Sequence, residues 1–195
     1  MRMALFFMQN KGVFFDRDGI INKDFGYVSS IEQVEFIDPI FDICAAYQKQ
    51  DYLLFIVTNQ SGIGRGYYTE NKFIELMTWM LNEFRKQGIE FSDYLWAPYF
   101  KDSDCDKYRK NSYFRKPSPG MISKLITEYD INPAASVMIG DQHSDMLAAR
   151  LGRIEERILV SKDVCPSFDN FTHNYKTLND FYKDKFLMAD EDALG

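Results

Sequence analysis

Cysteine is scarce in this chain: Cys44, Cys105 and Cys165 are too few and too scattered for a disulfide framework, and no C-x-x-C pair suggests a metal knuckle. That usage fits a reducing compartment, and a cytoplasmic protein is expected. No apolar run approaches the length of a membrane span. The apolar opening, Met1 to Met8, is shorter than a secretory signal usually requires, and Gln9-Asn10-Lys11 follows without a small-residue cleavage site. Basic residues are outnumbered, 23 against 29, giving a net charge of −6 and a pI near 5.0. A nucleic-acid or membrane-surface partner, which would call for a basic stripe, is not expected; a small anionic substrate in a local positive pocket remains open. There is no internal repeat, low-complexity stretch or Pro/Gly/Ser-rich linker. The 195 residues therefore read as one domain and a monomer, with an acidic tail from about residue 188.

What is present is enough apolar material for a full core, 46% hydrophobic and 16% aromatic, in an alternating pattern. Short apolar runs at Gly12–Asp16, Leu53–Thr58, Tyr94–Ala97, Ser136–Gly140 and Arg157–Val160 read as strands. Between them lie helical patterns over Pro39–Gln50, Glu70–Gln87, Ser118 to about Tyr129, and Ser144 or Asp145 to Leu151. The longest carries Phe73, Ile74, Met77, Met80, Leu81 and Phe84 at helical spacing and closes on Gly88, so these residues read as core rather than a cofactor box. Strands alternating with helices predict an α/β fold: a Rossmann-like, mainly parallel sheet with helices on both faces. The charged, aperiodic stretch Lys101–Phe114 reads as a surface loop.

In such a sheet, ligands gather beyond the carboxyl ends of the strands, and four predicted strand or helix ends carry reactive residues. Asp16-Arg17-Asp18-Gly19 follows the first strand. Its two carboxylates, two positions apart on extended backbone, face one space; one suits nucleophilic attack and the other proton transfer, while the bland alternative is a polar turn. Thr58-Asn59-Gln60-Ser61-Gly62 follows the second strand and offers hydroxyls and amides to phosphoryl oxygens, or merely a turn. Lys116 precedes the third long helix and is suited to neutralising a phosphate, although a lone loop lysine is more often solvated. Gly140-Asp141-Gln142-His143-Ser144-Asp145 supplies carboxylates for a hard cation, or a helix cap.

In this order the four motifs resemble the haloacid dehalogenase superfamily of phosphatases, over most of the chain. Asp16 to Asn22, Gly26-Tyr27-Val28, Thr58 to Gly66 and Arg115-Lys116-Pro117 narrow the resemblance to the heptose 1,7-bisphosphate phosphatases, with histidinol-phosphate phosphatases sharing much of it. Asp16 and Thr58 are 42 positions apart, and Thr58 and Lys116 are 58 apart, too close to hold a large cap domain as well as core elements. A capless member is expected.

The resemblance implies a Mg²⁺-dependent sugar-phosphate phosphatase working through an aspartyl-phosphate. Asp16 would be the nucleophile, ionised at neutral pH, and Asp18 the proton shuttle, with Thr58 and Lys116 stabilising charge. The metal would be held by Asp16, Asp141 and the backbone carbonyl of Asp18. Substrate contacts would come from Asp24, Phe25, Gly26, Tyr27, Thr58, Asn59, Gln60, Ser61, Arg115, Lys116 and Gln142. Gly62 and Gly64 would let the backbone pass close to the ligand, and Arg65 would meet either a second phosphate or a surface partner. A non-catalytic phospho-ligand-binding module is the alternative from another class.

Two departures from the family pattern stand out. Where members commonly carry C-x-H and C-x-C zinc ligands, this chain has Ala97-Pro98-Tyr99 and Ser112-Tyr113-Phe114, so no structural zinc is expected and the aromatics are expected to pack in its place. Gln142 stands where a lysine is usual. Asp145 reads as a ligand organiser, a cap or an ion-pair partner; Lys107, Arg109 and Lys110 read as a solvated face; His143 has no role in the chemistry.

Overall fold

The computed structural model describes residues 9–162 and 170–188; the apolar opening, Cys165 and the acidic tail beyond Met188 lie outside the described residues. Six strands, β1 (Lys11–Phe15), β2 (Tyr52–Asn59), β3 (Phe91–Ala97), β4 (Val137–Gly140), β5 (Glu156–Val160) and β6 (His173–Tyr175), form one sheet in the order β3-β2-β1-β4-β5-β6. Every pairing is parallel. The helices are α1 (Ile40–Lys49), the single turn α2 (Ser61–Gly64), α3 (Glu70–Lys86), α4 (Gly120–Glu128), α5 (His143–Leu151) and α6 (Leu178–Tyr182), the last running into a π-helical turn.

Successive strand side chains point to opposite faces, and the central strands are apolar on both. Val13 and Phe15, Leu54 and Ile56, Val137 and Ile139 meet the buried faces of α1, α3 and α6. Phe14, Phe55, Val57 and Met138 meet α4 and α5. Phe14 and Phe55 stack with centroids 5.2 Å apart. The α/β expectation is therefore met, with helices on both faces.

The five predicted strands and four predicted helices are present, shifted by a few residues at most of their ends; β3 begins earlier, at Phe91, because Ser92 and Asp93 interrupt the apolar run without breaking the strand. Strand β6, three residues with exposed His173 and Asn174, and α6, five residues, are additional. Both are too short to show a period. All parallel strands deliver their carboxyl ends to one edge, and β1, β2 and β4 are adjacent there.

Candidate active site

Asp16 leaves the tip of β1 with its N–H on the Ile139 carbonyl of β4, at 3.0 Å, so the first carboxylate is fixed by the sheet itself. Its Oδ1 lies 2.9 Å from Lys116 Nζ, which also reaches Asp145 Oδ1 at 2.7 Å and the Val57 carbonyl at 2.8 Å. All three ionic side chains are buried. The buried ammonium is thus compensated by two carboxylates and donates to a strand carbonyl. Lys116 is carried in by a loop, but the side-chain amide of Asn59 pins that loop's backbone from both sides: Nδ2 donates to the Lys116 carbonyl and the Lys116 N–H donates to Oδ1, each at 3.0 Å. Asn59 thus positions the lysine with its side chain.

Asp145 caps its own helix, accepting the Gln142 N–H at 3.0 Å, and Gly140 leaves it room: a Cβ there would fall 2.4 Å from the Asp145 Cβ. Gly19 does the same for Asp141. It sits at φ +87°, and a Cβ would fall 2.3 Å from Asp141 Oδ2. The glycine of D-x-D-G is thus required both by the turn and by the approaching carboxylate. Gln142 Nε2 donates to Asp141 Oδ2 at 2.9 Å, while Asp141 Oδ1 is buried with no hydrogen-bond partner. Oxygens of Asp16, Asp141 and Asp145 lie within 4.8 Å of one another. An orphaned buried carboxylate oxygen in an all-oxygen cluster suits a hard divalent cation.

Burial, reinforced by Asp145 and Asp141 and opposed by Lys116, pushes Asp16 up to about 8. Burial and Asp145 likewise push Asp141 up to about 6, against the Gln142 hydrogen bond. For Lys116 burial acts downward, but Asp145 and Asp16 more than offset it and the ammonium is held well above its ordinary value. The expectation that Asp16 is ionised at neutral pH thus requires a neighbouring positive charge beyond Lys116.

Asp18 points away from this cluster. Its carboxylate accepts from Arg17 (NH2 to both oxygens at 2.7 Å, Nε to Oδ1 at 3.1 Å), from Asn22 Nδ2 at 3.0 Å and from Gln60 Nε2 at 3.0 Å. Arg17 is fully buried, bonded also to the Val28 carbonyl at 2.9 Å, with its guanidinium 5.5 Å from the Phe73 ring. Nothing in the D-x-D-G spacing marks it.

A cavity of about 250 Å³ opens on these groups. Asp16, Asp18, Thr58, Lys116 and Asp141 line it together with Asp24, Gly26, Tyr27, Asn59, Gln60, Ser61 and Gln142. Tyr68, Ser144 and Asp145 complete it. Two expected contacts stand apart. Phe25 is 60% exposed outside the lining, because the turn at Gly26 (φ +76°) turns it outward while Tyr27 faces in. Arg115 is half-buried behind the wall, donating to the Tyr99 carbonyl at 3.2 Å. Burial and the nearby Arg65 hold the Arg115 guanidinium below its ordinary value.

Gly62 and Gly64 face protein, not the cavity: a Cβ would fall 2.3 Å from the Tyr68 ring and 2.4 Å from the Pro98 carbonyl, respectively. Arg65 stacks on Phe100 at 3.6 Å. The loop from Pro98 to Phe114 is tied by buried Ser103, whose hydroxyl donates to the Gly64 carbonyl, by Tyr108 on Glu70 at 3.0 Å, and by Arg109 Nε on the Ser103 carbonyl at 2.5 Å. Arg109 is exposed, as are Lys107 and Lys110, in line with a solvated face, and it also anchors the loop through this carbonyl. Tyr99 packs against the α4/α5 side, but Tyr113 and Phe114 are exposed, not packed as expected. Gly120, whose N–H holds the Tyr113 carbonyl at 3.0 Å, fixes the backbone there and leaves the rings outside.

Residues 113–167 match the family model described as HAD-hydrolase-like, a span containing Lys116, Asp141 and Asp145. The D-glycero-alpha-D-manno-heptose-1,7-bisphosphate 7-phosphatase of Campylobacter jejuni is 41% identical over 179 residues, 91% of this chain and 99% of its own length. The chain belongs to this family of HAD-like phosphatases. A second member, the D-glycero-beta-D-manno-heptose-1,7-bisphosphate 7-phosphatase of Vibrio cholerae, is 41% identical over 153 residues, 78% of this chain and 82% of its own. The HAD-like fold is shared with the solved D,D-heptose 1,7-bisphosphate phosphatase of B. bronchiseptica, complexed with magnesium and phosphate, at a TM-score of 0.74 and 22% identity over 92% of this chain and 99% of that one. As a HAD-like phosphatase the chain is a phosphoric monoester hydrolase, and the non-catalytic reading falls away.

Proposed function

We propose that this chain removes the 7-phosphate of D-glycero-D-manno-heptose 1,7-bisphosphate, using Mg²⁺, Asp16 as nucleophile and Asp18 as proton shuttle. The observation that carries the chemistry is the buried contact of Asp16 with Lys116 beside the orphaned oxygen of Asp141. The substrate rests on relatives of both anomeric names at the same 41% identity, so the proposal is for the bisphosphate irrespective of anomer.

Asp16, Asp141 and the Asp18 carbonyl would hold the cation. A bound magnesium ion supplies the positive charge that returns Asp16 to its carboxylate and offsets charge on the phosphoryl oxygens. Asp16 Oδ attacks phosphorus; the bond from phosphorus to the sugar oxygen breaks, and Asp18 gives that oxygen its proton. The products of this step are an aspartyl-phosphate and the sugar alcohol. Water then loses a proton to Asp18 and attacks the same phosphorus, releasing inorganic phosphate and restoring Asp16. Lys116 and Thr58 face the charge that develops on the phosphoryl group. In the resting arrangement the Asp18 side chain accepts from Arg17, Asn22 and Gln60.

Phosphate release from heptose bisphosphate, histidinol phosphate and simple sugar monophosphates, with and without magnesium, tests the reading. The expected result is magnesium-dependent release, fastest from the heptose bisphosphate and reduced at least about a thousandfold in Asp16→Asn. Faster release from histidinol phosphate would replace the substrate, and an active Asp16→Asn would remove the nucleophile.

A further inference from the structure

Tyr68 stands outside every motif of the sequence, yet it is buried at the cavity wall. Its ring packs against Gly62, where any side chain would collide with it. That packing aims the hydroxyl at Gln60, with Tyr68 OH to Gln60 Oε1 at 2.5 Å. An amide has one acceptor end and one donor end, so a hydroxyl donating to Oε1 decides where Nε2 points. Nε2 donates to Asp18 Oδ2 at 3.0 Å and to Thr58 Oγ1 at 2.9 Å. With the amide reversed, an oxygen would face the Asp18 carboxylate, acceptor against acceptor. Burial pushes the Tyr68 phenol up to about 12, so it keeps its proton and remains the donor.

On the other side of Asp18, Arg17 and Asn22 saturate Oδ1. Oδ2 has Arg17 and Gln60 alone. Gln60 is thus one of two contacts that orient this oxygen, and the one that Tyr68 reaches.

We propose that Tyr68 is a positioning residue for the proton-transfer step, setting the orientation of Asp18 through the Gln60 amide. The proposal rests on the reading of Asp18 as the proton donor to the departing sugar oxygen. That role matters in proportion to the basicity of the leaving group: a sugar alkoxide needs the proton, an aryl oxide such as p-nitrophenolate hardly does. A residue that aims the donor therefore acts on one class of ester and not the other, whereas a residue that merely supports the fold acts on both.

The test measures kcat/KM, which reports the step in which the ester bond breaks, for wild type, Tyr68→Phe, Gln60→Leu, the double variant and Asp18→Asn. The substrates are the heptose bisphosphate, or another alkyl phosphate that the wild type turns over, and p-nitrophenyl phosphate. Tyr68→Phe is expected to lower kcat/KM about tenfold on the alkyl ester and less than about twofold on the aryl ester. In the Gln60→Leu background it is expected to add nothing. Equal losses on both esters, no loss on either, or losses that multiply in the double variant would overturn the inference. Asp18→Asn separates the two claims: if its own effect does not depend on the leaving group, the acid assignment fails; if it does and that of Tyr68→Phe does not, only the role of Tyr68 fails.

Discussion

The floor of the cavity and its rim are built on opposite terms. On the floor Asp16, Lys116 and Asp145 are buried, tied to one another and to strand backbone. At the rim Tyr27 and Tyr67 are 44% and 61% exposed and meet edge to face, centroids 4.7 Å apart, joining two loops. A floor of this kind fixes reacting atoms but has no freedom to change; a rim of this kind tolerates change and can discriminate between substrates. Among the described residues no inserted cap domain separates the core elements, so the proposed chemistry falls to the first region and the proposed choice of substrate to the second.

The contrast breaks most severely at Lys116. Lys116→Met leaves Asp16 and Asp145 facing each other without a cation, and is expected to destabilise the metal-free protein by about 3–5 kcal/mol in urea unfolding, besides abolishing turnover. A variant as stable as wild type would show that the floor is not held by this charge triad.

The next largest effect is on pH. Metal-free, Asp16 at about 8 and Asp141 at about 6 lie above their ordinary value of 3.8, so the folded protein keeps protons that the unfolded chain has released. With folded values raised, these groups make the metal-free protein lose stability as pH rises from about 4 towards 8. A divalent cation must displace those protons. The rise in thermal midpoint on adding magnesium is therefore expected to be greater at pH 8 than at pH 6; equal rises would contradict it.

Away from the floor the effects shrink. Ser103→Ala takes the donor from the Gly64 carbonyl and is expected to cost about 1–3 kcal/mol, with a zinc-selective chelator leaving the wild-type melting curve unmoved. A fall in midpoint on chelation would mean that zinc tethers the loop after all. Smallest is Tyr27→Ala, which removes one ring of the aromatic pair, worth about 0.5–1.5 kcal/mol. A rise in KM of several-fold with kcat within about twofold is expected; a collapse of kcat instead would move Tyr27 from rim to machinery.

The same division governs what was legible in the sequence. Asp16, Thr58, Lys116 and Asp141 could be read because a parallel sheet brings all strand ends to one edge, so that order along the chain becomes proximity in space. Arg17 was not readable, since its burial depends on the chain turning at Gly19 and folding back to the Val28 carbonyl. Tyr68 acts at Gln60 across a single helical turn, and the Gly62 and Gly64 that permit such packing look the same as glycines that make room for a ligand. Tyr113 and Phe114 misled for a related reason: apolar residues predict burial on average, but a loop pinned through its backbone need not bury its rings. Strand β6 and helix α6 carry too few residues for any periodicity to show.

Asn59 grips Lys116 through main-chain atoms only, across 57 positions of chain. Such a grip is indifferent to side chains in the segment between, and it isolates the lysine from whatever precedes it. The stretch from Pro98 to Phe114 has ties of its own, Ser103 to the Gly64 carbonyl and Tyr108 to Glu70, so the loop and the ammonium are anchored to the body at separate points.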